Sequence, residues 1–544
     1  MEASVVVGRN GVAPQDVIDV ARRGARVVLG DDAREALERG ADVVAGLLDK
    51  PEPVYGVSTG FGALADTVIP VERSAELQLA LVRSHAAGMG PELEQEVIRA
   101  MMMLRARSLA MGYSGARPHV AERICEVLNA GIVPVVREHG SVGASGDLAP
   151  LAAAALTLTG EGIVDTPSGR KPAAEALADA GLEPLHLTAK EGLALINGTD
   201  GMLGMLVMAL QDLRDLYLIA DVAAAMTVEA LLGTDQAYAA DLVAMRPQPG
   251  QQASAANLRN LLAGSPTVAS HRHGDTRVQD AYSLRCTPQV HGAGRDVIGF
   301  AATVADNELQ SFIDNPVVLF RRDTTTQAGG RADGAEGDDG SGLVLPDGRV
   351  ASCGNFHGAP VAYAADLLRI PVADLSALSE RRTDRLLDPA RSHGLPPFLT
   401  TDAGVNSGLM IAQYTQAAMV TTNRRLAAPA SVDTLSTSAG QEDHVSMGWG
   451  ACRALREVVA NLRRILAVEV LAATHAQVLR GQGLPPSGEP LRPGAATGAV
   501  AEVVLEAAGG PGPDEHLEPR LAAVERLLET GAVLTAARAH ADLT

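Results

Sequence analysis

Apolar positions along most of this chain fall three and four residues apart, the spacing that gathers them on one side of a helix. From Leu210 the run LQDLRDLYLIADVAAAMTVEALL carries them on a broad face, which predicts a long helix inside a bundle. Residues 296–313, 361–386, 407–426 and 451–479 repeat the pattern, while sustained period-two alternation is scarce. The stretch 201–210 is more apolar still. Asp212, Arg214 and Asp215 interrupt it well short of the roughly 20 clean residues a bilayer span needs, so it reads as a buried helix.

The first 200 residues differ. Short helices are predicted at 14–23, 75–86, 92–111 and 118–130, separated by glycine-rich turns such as YGVSTGFGAL, the kind of loop that commonly carries function. The expected fold class is mainly α. A turn-rich N-terminal domain spans 1–200 and a central long-helix bundle 201–480. Residues 481–544 follow, in which GQGLPPSGEPLRPG leads to a last pair of amphipathic helices packed on the bundle. Within the bundle, RRDTTTQAGGRADGAEGDDGSG at 321–342 has almost nothing to bury and reads as a flexible insertion.

Composition narrows the function classes. With 47% hydrophobic and 20% charged residues over 544 positions, the chain has ample apolar surface for an enzyme-sized body. Its formal charge of -20 repels phosphate backbones, and no Lys/Arg stripe offsets it locally, which argues against nucleic acid and anionic membranes as partners. Four scattered cysteines without a CxxC pair signal neither a disulfide framework nor a zinc knuckle. The opening MEASVVVGRNGVAPQ lacks the basic and long apolar parts of an export signal, so a cytoplasmic location is expected.

The chemistry enters at residues 140–151, GSVGASGDLAPL. Its small residues suit an ordinary tight turn, but it has neither the GK[ST] ending of a phosphate loop nor the GxGxxG of a dinucleotide site. A more reactive reading exists. Gly146 has no side chain, so its backbone nitrogen can attack the carbonyl carbon of Ala144 and close a five-membered ring. Loss of water from that ring and from Ser145 leaves an alkene conjugated to an imidazolone, a carbon electrophile made without any bound cofactor.

With this motif the sequence resembles the aromatic amino acid ammonia-lyase family, whose members carry such a methylidene-imidazolone (MIO) formed at Ala144-Ser145-Gly146 here. The resemblance runs in family order from Tyr55 to about Leu479. YGVSTGFG maps the catalytic base onto Tyr55, NGTD supplies Asn197, and QDAYSLRCTPQ supplies Gln279, Tyr282 and Arg285. DNPVV contributes Asn315, GNFHGAPVA contributes Phe356 and QEDHVSMG contributes Glu442. The resemblance implies a fumarase/aspartase-like helical architecture and a homotetramer whose active sites each collect residues from three subunits. It implies that the substrate amine adds to the methylidene and that Tyr55 removes a β-proton. Asn197, Gln279, Tyr282 and Asn315 then position an amino acid whose carboxylate Arg285 clamps, its planar guanidinium engaging both oxygens. Because tyrosine titrates near ~10, a phenolate base needs positive charge or donors beside it, for which Arg285 is a candidate. No metal or nucleotide is expected: HRHGD at 271–275 and EDH at 442–444 lack zinc-site spacing.

Selectivity rests on the residues that meet the side chain. In LQLALVRSHAAGMG, Ser84 and His85 fall at the family's selectivity pair, and Ser-His resembles the histidine lyases. Glu442 fits the same reading, because a carboxylate can accept from an imidazole N–H but would be an unpaired charge against a phenyl ring. Elimination of ammonia from L-histidine to trans-urocanate is therefore expected. A tyrosine or phenylalanine lyase and an aminomutase stay open as alternatives, and outside the enzymes a catalytically silent binding protein of the same fold. Thr421 and Thr422 stand where many relatives have Ser-Glu, Gly440 where Asn is usual, and Ala359 where Glu is frequent.

Overall fold

The computed structural model describes residues 4–48, 50, 52–273, 275, 277–320, 343–345 and 348–544. The insertion read at 321–342 lies outside the described residues. Helices dominate. Pro14–Arg23, Ser74–His85, Gln95–Ala110 and Pro118–Asn129 occupy the first part of the chain, and Asp200–Ala230, Thr287–Gln310, Ala359–Leu387, Met410–Leu426 and Gly448–Arg480 the remainder. The apolar stretch 201–210 and the periodic run after it form one helix, and the most apolar window of Glu191–Ala230 is wholly buried in the fold.

Local chemistry sets several helix ends. Pro14 and Pro118 sit in the first turn, where a missing N–H costs nothing, and Gly24 closes the first helix in the left-handed conformation. Several helices were not expected from the periodicity, the longest being Asp31–Leu48, Pro249–Leu261 and Leu148–Leu158. The C-terminal pair is corrected to three helices, Ala495–Ala508, Leu517–Glu529 and Ala532–Arg538. Gly531, at φ 77°, turns the chain between the last two and splits what reads as one amphipathic run. Strands are short, such as Ser4–Val7 paired in parallel with Arg26–Leu29.

The chain divides into two compact units, each gathered from three segments. The first comprises Met1–Met208, Ala302–Ala365 and Ala430–Arg453, and the second Ala209–Ala301, Asp366–Pro429 and Ala454–Thr544. In the first unit, Val97, Met101, Leu104 and Leu109 of Gln95–Ala110 are fully buried, and that helix packs on Pro14–Arg23 and Pro118–Asn129.

The second unit has a polar interior. Arg382 donates to both oxygens of Glu469, at 2.5 and 2.9 Å, and Thr227 adds a bond of 3.0 Å; neither charged side chain is exposed. Asp221 accepts from His291 at 2.7 Å, Ser254 at 2.6 Å, Asn257 at 2.9 Å and Arg295 at 2.8 Å. Burial opposes ionisation, but His291, Arg295 and Ser254 hold the Asp221 carboxyl below the ordinary aspartate value. Removing one side of a fully buried pair leaves the other uncompensated. Arg382→Met should therefore destabilise by about 3–5 kcal/mol, whereas Arg382→Met with Glu469→Leu should recover most of that loss. Denaturant unfolding of the single and double variants checks this; equal losses in both would show that the charge is not the cause.

Candidate active site

A cavity of about 1060 Å³ opens in the first unit, and its wall brings together nine of the residues singled out from the sequence: Tyr55, Ser84, His85, Ala144, Ser145, Asn197, Asn315, Phe356 and Glu442. They come from segments almost 400 positions apart. Gly146, next in sequence to Ser145, is buried and does not line it.

The loop that presents Ser145 is strained and braced. Ser145 has φ 53°, in a region that non-glycine residues seldom occupy, and Gly143 and Gly146 flank it at φ 72° and 81°. A Cβ on Gly146 would lie 2.2 Å from the carbonyl oxygen of Gly198, so only glycine fits. Ser446 Oγ donates to the Gly143 carbonyl at 2.8 Å, and the Met447 N–H to that of Val142 at 2.8 Å. Asp147 anchors the other side: it accepts from Ser141 Oγ at 3.0 Å and from the Gly201 and Met202 N–H groups at 2.9 and 3.0 Å, at the start of a helix where a carboxylate is favoured. Burial nonetheless pushes the Asp147 carboxyl up to about 7.

Tyr55 faces the cavity from a loop whose Gly62 N–H donates to its phenol oxygen at 3.2 Å. Burial raises its pKa above the ordinary tyrosine value; the Gly62 bond opposes this, while Glu442 and Asp314 add to it. Within one chain the phenol is therefore held protonated. Ser438 steadies the same loop, accepting the Ala63 N–H at 3.1 Å.

The residues expected to set selectivity are held largely by the backbone. His85 Nδ1 lies 2.9 Å from the Leu81 carbonyl, which can only accept, so Nδ1 carries the proton and Nε2 of the neutral ring is an acceptor. Burial keeps the ring neutral by lowering its pKa, against weaker opposition from Leu81 and Glu442. Glu442 is gripped by Thr437, whose hydroxyl donates to Oε2 at 2.6 Å and whose backbone exchanges hydrogen bonds with that of Glu442. Its other oxygen is 3.5 Å from Ser145 Oγ. Gly440, between them, has φ 91°, a conformation that glycine and asparagine both tolerate, which accounts for the departure at this position. Thr421 and Thr422 bond back to carbonyls four residues earlier on their own helix.

Asn197 and Asn315 share a third wall. Asn197 Nδ2 donates to Asp314 Oδ1 at 3.0 Å and to the Asn315 carbonyl at 2.8 Å, while Lys190 donates to Asp314 Oδ2 at 2.7 Å. Burial lowers the Lys190 pKa, and Asp314 opposes this. Gln279, Tyr282 and Arg285 do not line this cavity. They belong to the second unit, where the Arg285 guanidinium lies 4.5 Å over the Tyr282 ring and Tyr282 is 71% exposed. Sequence reading overlooked Thr437, Ser438, Lys190, Asp314 and Asp147. A lysine directly before the apolar run EGLALI was the visible signal for one of them.

Comparison with known proteins bears on this arrangement. The model of the aromatic amino acid lyase family matches residues 12–506. The chain is 56% identical to histidine ammonia-lyase of Streptomyces griseus over 536 residues, 98% of each chain. Among solved structures it is similar to histidine ammonia-lyase from Trypanosoma cruzi, with 36% identity, 99% and 96% of the two chains covered and a TM-score of 0.85. It is also similar to tyrosine aminomutase from Streptomyces globisporus, with 33% identity, both chains covered in full and a TM-score of 0.87.

Proposed function

Because this chain belongs to the aromatic amino acid lyase family, we propose that it removes ammonia from L-histidine without redox chemistry, giving trans-urocanate. The observation that carries histidine in particular is the grouping of Ser84, His85 and Glu442 on one cavity. Two acceptors, His85 Nε2 and the Glu442 carboxylate, suit the N–H of an imidazole, and neither would gain from a phenyl ring.

The Ala144-Ser145-Gly146 loop fits an MIO: Ser145 and Gly146 both hold positive φ, and nothing larger than glycine fits at 146. That group would supply an electrophilic carbon able to turn the substrate amine into a leaving group. Tyr55 takes the β-proton as general base. Its raised pKa calls for a cation, and Arg285 from another copy of the chain meets that need in a homotetramer with shared sites, where it also clamps the carboxylate and Gln279 and Tyr282 help position the substrate. Two observations support the assembly: the exposure of Tyr282, and exposed Leu367, Ile370, Ile411 and Tyr414 on the second unit. Cys125, Cys286, Cys353 and Cys452, none of them in a disulfide among the described residues, suit a reducing cytoplasm.

Incubation with L-histidine, L-tyrosine and L-phenylalanine, followed by chromatography, tests the reading. Urocanate is expected; coumarate or cinnamate alone would overturn the choice of substrate, and a β-amino acid would make the protein an aminomutase. Glu442→Gln should lower kcat/KM for histidine by roughly tenfold to a hundredfold, since a hydrogen bond to a charged group contributes about 1.5–3 kcal/mol. An unchanged kcat/KM would remove Glu442 from substrate recognition.

A further inference from the structure

Asn197 is 3% exposed, and what its amide offers the cavity depends on which way it is turned. Its nitrogen has two hydrogens, and both are taken. The Asp314 carboxylate and the Asn315 carbonyl can only accept, so they must face the nitrogen. A flipped amide would set oxygen against two oxygens and leave two donors facing the cavity.

Asp314 is fixed in turn. Its Oδ2 accepts from Lys190 at 2.7 Å, and its Oδ1 accepts the Asn315 N–H at 2.7 Å as well as the Asn197 amide. Neither the Lys190 nor the Asp314 side chain is exposed, and Lys190 holds φ 63° to reach its place. Lys190 and Asn197 cap opposite ends of the helix Glu191–Ile196, so the ion pair ties both ends of that helix to one carboxylate. Unlike Asn197 itself, this pair does not line the cavity.

We propose that Lys190 and Asp314 are positioning residues that lock the Asn197 amide with its oxygen toward the cavity, so that this wall accepts the substrate's ammonium and rejects its carboxylate. The inference rests on the lyase reading above and deepens it by assigning the two poles of the amino acid to different walls. The ammonium meets Asn197 Oδ1, and the carboxylate must be met by a donor elsewhere.

Two half-substrates separate the poles. Histamine has the amine without the carboxylate, and imidazolepropionate has the carboxylate without the amine; each is measured as a competitive inhibitor of histidine turnover. Asn197→Ala should weaken histamine by about tenfold and imidazolepropionate by less than about twofold, the loss of a hydrogen bond to one charged pole only. Lys190→Met with Asp314→Leu removes both buried charges together, avoids a stranded one and takes away the acceptor of one amide hydrogen. It loosens the amide, then held by the Asn315 carbonyl alone, and should shift the histamine-to-imidazolepropionate ratio in the same direction. Loss of helix alone would weaken both ligands together and leave that ratio unmoved. The inference is overturned if Asn197→Ala weakens imidazolepropionate more than histamine, or if the double variant keeps the unsubstituted ratio. Urocanate production by the unsubstituted protein is recorded alongside: none at all overturns the functional reading itself, whereas urocanate with the opposite ratio overturns only the orientation.

Discussion

Ser145→Ala should leave a folded protein that makes urocanate at least about a thousandfold more slowly, a loss of about 4 kcal/mol in transition-state stabilisation. The fold has little reason to suffer. The Ser145 hydroxyl makes one long contact, 3.5 Å to Glu442, whose other oxygen stays gripped by Thr437 at 2.6 Å. Alanine meets the same backbone strain at φ 53° that serine does, so stability changes little. The loss would therefore be chemical: without that oxygen, dehydration to the alkene has no leaving group. Turnover at saturating histidine, with near-ultraviolet absorbance of the folded protein, measures it. A variant within tenfold of the unsubstituted rate would mean that the loop is only a turn.

The second large effect is expected at Tyr55→Phe, a fall of roughly 10²- to 10⁴-fold, the usual contribution of a positioned general base. Here the pH profile is as informative as the rate. The base must be the phenolate, and burial first, then Glu442 and Asp314, raise its pKa, with only the Gly62 N–H opposing them inside one chain. A raised pKa leaves little phenolate at neutral pH, and that fraction grows as pH rises toward the phenol's own titration. The kcat/KM for histidine should therefore climb toward alkaline pH, and Tyr55→Phe should lose that limb. A profile that falls with rising pH, or a limb that survives in the variant, would place the base elsewhere.

Much of this was legible in the sequence, for identifiable reasons. Long helices announce themselves through period, and residues 210–232 could hardly bury their apolar face in any other way. The Ala-Ser-Gly loop was legible because each position demands a residue type, and the cavity gathers Tyr55, His85, Asn197 and Glu442 around it. What escaped were contacts between distant segments. Thr437 is an unremarkable hydroxyl until its backbone is seen bridged to that of Glu442, and the Lys190–Asp314 pair joins residues 124 positions apart. Helix Asp31–Leu48 was missed although its apolar residues are spaced for burial, since Gly40 and Gly46 interrupt it and weaken the local signal. Nor does period foretell that Gln279, Tyr282 and Arg285 lie off the cavity in a unit gathered from three segments.

The grip of Thr437 on Glu442 also constrains how such a pocket can change hands. With its carboxylate pinned by a 2.6 Å bond and a bridged backbone, Glu442 cannot swing aside when a different side chain arrives. Replacing His85 by an apolar residue alone would bring a phenyl ring up to an immovable carboxylate, and replacing Glu442 alone would leave an imidazole with one acceptor where it had two. On the proposed reading, each single step weakens the fit to histidine without yet suiting a phenyl ring. A change of substrate on that reading calls for positions 85 and 442 to alter together, which couples two sites more than 350 residues apart in the chain.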